Sequence, residues 1–127
     1  MKRLVPVLGL AALALILVAC SGAGGNSGPE KSAAPDALQI SAKDLKFSTA
    51  TLTAPAGKAF QIVFDNQESA PHNVAIYKDA SAAEKVLVED PFSGPQKVVY
   101  DVPALTAGSY FFRCDLHPDM KGTIEVN

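Results

Sequence analysis

The stretch Gly108-Ser109-Tyr110-Phe111-Phe112-Arg113-Cys114-Asp115-Leu116-His117-Pro118-Asp119-Met120-Lys121-Gly122-Thr123-Ile124-Glu125-Val126 decides how the rest of the chain is read. Its first part alternates, placing Tyr110, Phe112 and Cys114 on one face of a strand, and Lys121 to Val126 reads as a second strand that closes the chain. Between the two, Cys114, His117 and Met120 follow one another at intervals of three. Thiolate and thioether are soft donors and imidazole is borderline, so this bend gathers three side chains suited to a soft metal ion.

Working outward, the only other histidine is His72, in Ala70-Pro71-His72-Asn73-Val74. Two imidazoles, one thiolate and a weak axial thioether suit copper alternating between Cu(I) and Cu(II). Each residue alone has a plainer reading: Cys114 as a small buried hydrophobe, Met120 as core filler, the histidines as satisfied surface groups. The chain has only two Cys, two His and two Met, and that economy favours the joint reading. Zinc is chemically compatible with His/Cys/His, while the Met favours copper.

The segment from Gly108 to Val126 resembles the last two strands and copper loop of the cupredoxins, on the plastocyanin and amicyanin branch. The Cys-x-x-His-x-x-Met interval, with Pro118 directly after the His, is similar to the short loop of amicyanin; the resemblance runs from about Leu38 to the end. It implies one type 1 copper ion, with His72, Cys114 and His117 as equatorial ligands and Met120 as the axial one. It also implies that Asn73 hydrogen-bonds to Asp115, the residue after the Cys, orienting the ligands. His117 would lie near the surface, inside an apolar docking patch of Pro71, Leu116 and Pro118. Leu116 and Asp119 depart from the smaller or more apolar residues of amicyanin, which bears on the partner and not on the metal.

The N-terminus has a different character. Met1-Lys2-Arg3 is a basic head, Leu4 to Val18 is almost wholly apolar, and Leu17-Val18-Ala19-Cys20 precedes a polar stretch. This reads as a secretory leader over residues 1–19; an uncleaved anchor is the other reading, although the run is shorter than the ~20 residues a spanning helix needs. The Leu-x-Ala-Cys ending resembles a bacterial lipobox, which implies cleavage before Cys20 and lipidation of Cys20. Two or more acyl chains suffice for stable anchoring. Residues 20–36, rich in Gly, Ser, Ala and Pro, read as a flexible tether with a reach of roughly 20–25 Å. Cys114 is then the one thiol left in an exported domain, a liability there unless it is buried or held by a metal.

Residues 37–127 amount to one small domain. Period-2 runs occur at Leu38–Ala42, Lys58–Phe64, His72–Tyr77 and Lys97–Val102, separated by turn signals such as Pro55-Ala56-Gly57 and Ser93-Gly94-Pro95. They predict an all-β fold, an antiparallel Greek-key β-sandwich, with the ligands gathered at one pole from strand ends and a loop. The Ala-rich segment within 79–88 reads as a loop or single turn.

The formal net charge is −2, and loss of Lys2 and Arg3 with the leader makes it two units more negative. No basic stripe points to nucleic acid. A mononuclear site filled by four protein ligands leaves no open position for a substrate, so an enzyme is not expected. The expected function is a membrane-tethered electron carrier, acting as a single copy outside the cytoplasm between redox partner proteins. The alternative is copper delivery or storage without turnover.

Overall fold

The computed structural model describes residues 31–127, which form two packed sheets. The leader, Cys20 and most of the tether lie outside the described residues. Nine strands follow in chain order: β1 Leu38–Lys43, β2 Lys46–Phe47, β3 Thr51–Ala54, β4 Phe60–Asn66, β5 Ala75–Tyr77, β6 Lys85–Leu87, β7 Gln96–Val102, β8 Gly108–Arg113 and β9 Lys121–Val126. One sheet has the order β2-β1-β4-β7 and the other β3-β9-β8-β5-β6. The described residues contain no helix, and so no helix long and apolar enough to cross a membrane.

The alternation in the sequence becomes the inside and outside of the sandwich. Ile62, Phe64 and Asn66 of β4 point inward, as do Tyr110 and Phe112 of β8, Ile124 and Val126 of β9, and Tyr100 and Val102 of β7. Phe64 is the hub. Its ring meets Phe47 edge-on at 6.1 Å, Phe92 at 5.4 Å and Tyr100 at 6.2 Å, and Phe47 in turn packs on Phe112 at 5.5 Å. Edge-to-face contacts at such separations add to the area these rings bury.

The sandwich is all-β as expected, but it is not wholly antiparallel. β1 pairs with β4, and β3 with β9, in parallel register. The chain crosses from one sheet to the other between β2 and β3 and back before β4, so β4 re-enters beside β1 pointing the same way. β3 and β6 are strands the period-2 reading passed over. Thr51–Ala54 does alternate, but only over four residues, and the Ala-rich run hides the start of β6. The run expected over His72–Tyr77 is a strand only from Ala75; His72 makes an isolated antiparallel bridge to Phe92 instead.

The boundary of the tether also differs. Residues 31–36 lie on the domain: the Ala34 N–H donates to Gln61 Oε1 at 2.7 Å, and Lys31 pairs with Asp101.

Candidate metal centre

The loop between β8 and β9 is built from two successive turns. The His117 N–H donates to Cys114 O at 3.3 Å and the Met120 N–H to His117 O at 2.8 Å. Each is an i to i+3 bond, so the three-residue interval places Cys114, His117 and Met120 at the junctions of consecutive β-turns. Pro118 occupies the second position of the second turn, where its fixed φ suits the geometry. The Cys114 N–H closes the loop by donating to Met120 O at 2.8 Å.

His72 arrives from the other side, on the segment between β4 and β5. Asn66, fully buried, shapes that segment: its amide donates to Ala70 O at 2.9 Å and Phe92 O at 2.8 Å, while its Oδ1 accepts from the Glu68 N–H at 3.1 Å. His72 and Phe92 exchange both backbone bonds at 3.1 Å. Gly94 is required here, because a Cβ would lie 2.1 Å from Asn66 O.

The outcome is a compact donor set. Cys114 Sγ lies 3.6 Å from His72 Nδ1 and 3.6 Å from His117 Nδ1, and the three donor atoms all fall within 4.8 Å of one another. That spacing leaves room for one ion at ordinary ligand distances of about 2.0–2.3 Å. His72 and Cys114 are completely buried, whereas His117 is partly exposed. Met120 is buried, packs in the same apolar cluster as Cys114 and is pinned by both its backbone bonds. A buried thiolate with two imidazoles and a neighbouring thioether fits one type 1 copper ion.

Glu68 was not legible in the sequence, because a residue four before His72 is a neighbour only in a helix. Its Oε1 lies 2.6 Å from His72 Nε2. With Glu68 ionised the imidazole proton sits on Nε2, leaving the Nδ1 lone pair free for a metal. The same carboxylate accepts from the backbone N–H groups of Asp44 at 3.0 Å and Leu45 at 3.1 Å. Both residues are left-handed, with φ 53 and 55, so Glu68 holds an unfavourable turn and His72 together. The Leu45 bond, followed by that to His72, keeps the Glu68 carboxyl below its usual range.

Asn73 and Asp115 also meet. The Asp115 N–H donates to Asn73 Oδ1 at 2.9 Å, and the Asn73 amide donates to Glu89 O at 2.8 Å. The Asp115 carboxylate is no free surface charge. Tyr77 Oη–H donates to it at 2.7 Å and Arg113 Nε–H at 2.9 Å. Burial raises its pKa, but the hydrogen bonds from Tyr77, Arg113 and Asn73 outweigh that and lower it. Burial, then the Asp115 carboxylate, pushes the Tyr77 phenol up. Of the apolar residues expected around His117, Pro71 and Pro118 are exposed and Leu116 is 51% exposed.

A two-sheet sandwich carrying buried Cys and His donors at one pole defines the class. Residues 9–126 match the family model described as a cupredoxin-like domain, and the chain belongs to the cupredoxin family. Among individual relatives, amicyanin of Paracoccus versutus is 33% identical over 94 residues, 72% of this chain, and the chain spans just under two thirds (65%) of that protein. The crystal structure of the same amicyanin superposes with a TM-score of 0.58 at 30% identity, covering 74% of this chain and 84% of that one. Amicyanin-alpha of Methylorubrum extorquens is 31% identical over 116 residues, 91% of this chain and 93% of the relative. Reduced auracyanin of Roseiflexus castenholzii shares the fold, with a TM-score of 0.64 at 18% identity, covering 76% of this chain and 99% of that one.

Proposed function

We propose that the protein is a blue copper electron carrier, exported and tethered to a membrane through lipid on Cys20, passing electrons between redox partner proteins. The observation that carries the reading is the placement of the Cys114 thiol equidistant from Nδ1 of His72 and of His117, in a pocket sealed on the His72 side. His72, Cys114 and His117 would hold the ion, with the Met120 thioether as a further donor beside Cys114. Bound there, copper would supply a one-electron Cu(I)/Cu(II) couple.

The protein's own contribution is to keep that geometry fixed. The two turns of the loop, the Glu68–His72 bond and the Asn73–Asp115 bond immobilise the donors before any ion arrives, so little rearrangement is needed when charge changes. His117, the partly exposed ligand, is the electron portal. Pro71, Leu116 and Pro118 form the apolar face around it, and exposed Leu45 lines a separate groove with Asp119, Met120 and Lys121. A small apolar patch suits the brief encounters of redox partners. Asp119 remains available to favour a basic partner, whereas Asp115 is already paired with Arg113.

Absorption and voltammetry of the copper-loaded protein test the reading. An intense visible thiolate-to-Cu(II) band with reversible voltammetry identifies a carrier. Tight, colourless Cu(I) binding without a reversible couple identifies delivery or storage instead.

A further inference from the structure

We propose that residues 31–36 form a strap fixing the N-terminal tether to the pole of the sandwich opposite the metal centre, so that a membrane-anchored molecule holds its copper face away from the lipid. The orientation rests on the reading of Cys20 as the lipid attachment point; the strap itself does not.

The ladder between β4 and β7 gives the two poles. At one end Asn66 pairs with Gln96, and Asn66 ties directly to the segment carrying His72. At the other end Gln61 pairs with Asp101 and Phe60 with Val102. Five residue steps run from Gln61 to Asn66, about 17 Å at the rise of a strand. β1 runs parallel to β4, from Leu38 beside Ile62 to Ala42 beside Asn66. The chain therefore enters the domain at the far pole and reaches the metal end only at the Asp44–Leu45 turn.

The strap makes this entry point a defined one. Pro35 and Asp36 form a turn closed by the Ala37 N–H donating to Ala34 O at 3.1 Å. The Ala34 N–H donates to Gln61 Oε1 at 2.7 Å, and the amide of Gln61 donates to Asp101 Oδ1 at 2.9 Å. Asp101 also pairs with Lys31, and Asp36 faces Lys58 at 3.5 Å. Two ion pairs of opposite polarity thus flank one backbone hydrogen bond, and reversing one charge breaks one pair without touching the metal centre. With the tether held at Lys31, residues 20–30, expected from their Gly/Ser-rich sequence to be coil, would reach roughly 17–20 Å. That span brings the far pole, with Gly57 and Leu105, close to the lipid and leaves His117 a domain's length beyond it.

The test uses the full-length lipidated protein in its reduced, diamagnetic form, in nanodiscs doped with a gadolinium-chelating lipid. Its intact mass is checked first, and amide relaxation is read by NMR. Gly57 and Leu105 are expected to relax several-fold faster than His117, and the Ala34 amide to exchange at least about tenfold more slowly than in a free peptide. Asp36→Lys is expected to release Ala34, and the Asp36→Lys/Lys58→Asp pair to restore its protection. Free exchange at Ala34 in the unmodified chain overturns the strap. Equal relaxation at both poles, with lipid confirmed on Cys20, overturns the orientation and leaves the anchor standing. An unlipidated Cys20 overturns anchor and orientation together, and the strap is then judged on Ala34 and the charge-reversal pair alone.

Discussion

Replacing Asn73 with Ala removes a side chain that is 1% exposed and joins three segments. The Asp115 N–H loses its acceptor at 2.9 Å, and Glu89 O loses its donor at 2.8 Å. Glu89 lies on an exposed stretch, so water can replace the amide there at small cost. The Asp115 N–H is part-buried at the start of the Cys114–Met120 loop, and an unsatisfied buried donor costs about 1–3 kcal/mol. With the space left by the amide, Asn73→Ala should destabilise the copper-free protein by about 2–3 kcal/mol. In urea, where a small domain has a slope of about 1–3 kcal/mol/M, the midpoint should fall by roughly 1–2 M. Copper should bind about 10–100-fold more weakly, as is usual when a group orienting a ligand is lost. Equilibrium unfolding and chelator competition read the two effects. A midpoint within about 0.5 M of the parent at an unchanged slope, with affinity within about threefold, would refute the role given to Asn73.

Three further outcomes follow from particular contacts. Glu68→Ala should weaken copper binding about 10–100-fold and speed hydrogen exchange at the Asp44 and Leu45 amides, which lose their acceptor; unchanged exchange there would remove Glu68 from the centre. Gly122→Ala places a Cβ 2.4 Å from both Ala50 O and the Phe112 ring, so it should cost about 1–3 kcal/mol by overpacking; a loss below about 0.5 kcal/mol would show that β3 and β9 yield there. The chain has three tyrosines and no tryptophan, so phenolate absorbance can be followed cleanly into alkali. Burial, then the charge of Glu89, raises the Tyr100 phenol, and burial with Asp115 raises Tyr77, whereas the Thr106 hydroxyl and Lys78 lower Tyr110. Tyr110 should therefore ionise first. Groups raised in the folded state leave stability intact below their unfolded value of about 10 and withdraw it as pH rises further. Tyr77 and Tyr100 should consequently ionise only as the chain unfolds, and three equivalent titrations in the native protein would contradict this.

The parts of the molecule legible in the sequence are those where a local pattern coincides with a physical role. Alternation in β4, β7, β8 and β9 became the buried faces, and the Cys114, His117 and Met120 interval became two linked turns because turns are local. The parallel pairings were not legible, since register between distant strands depends on how the chain crosses the sandwich. Glu68 reaches His72 because Asn66 and Phe92 fold the loop back, not because of spacing. The Asp115 carboxylate is held by Tyr77 from the neighbouring strand, a contact that exists only once β5 and β8 pair.

The most direct measurement is the visible spectrum of the copper-loaded protein beside that of Cys114→Ser, each paired with a near-ultraviolet check of the fold. The parent should show an intense thiolate-to-Cu(II) band that vanishes on reduction and returns on oxidation, and the Ser variant should fold yet stay colourless. A folded, copper-loaded parent without that band, or a Ser variant that keeps it, would mean that residues 72, 114 and 117 do not share one copper ion.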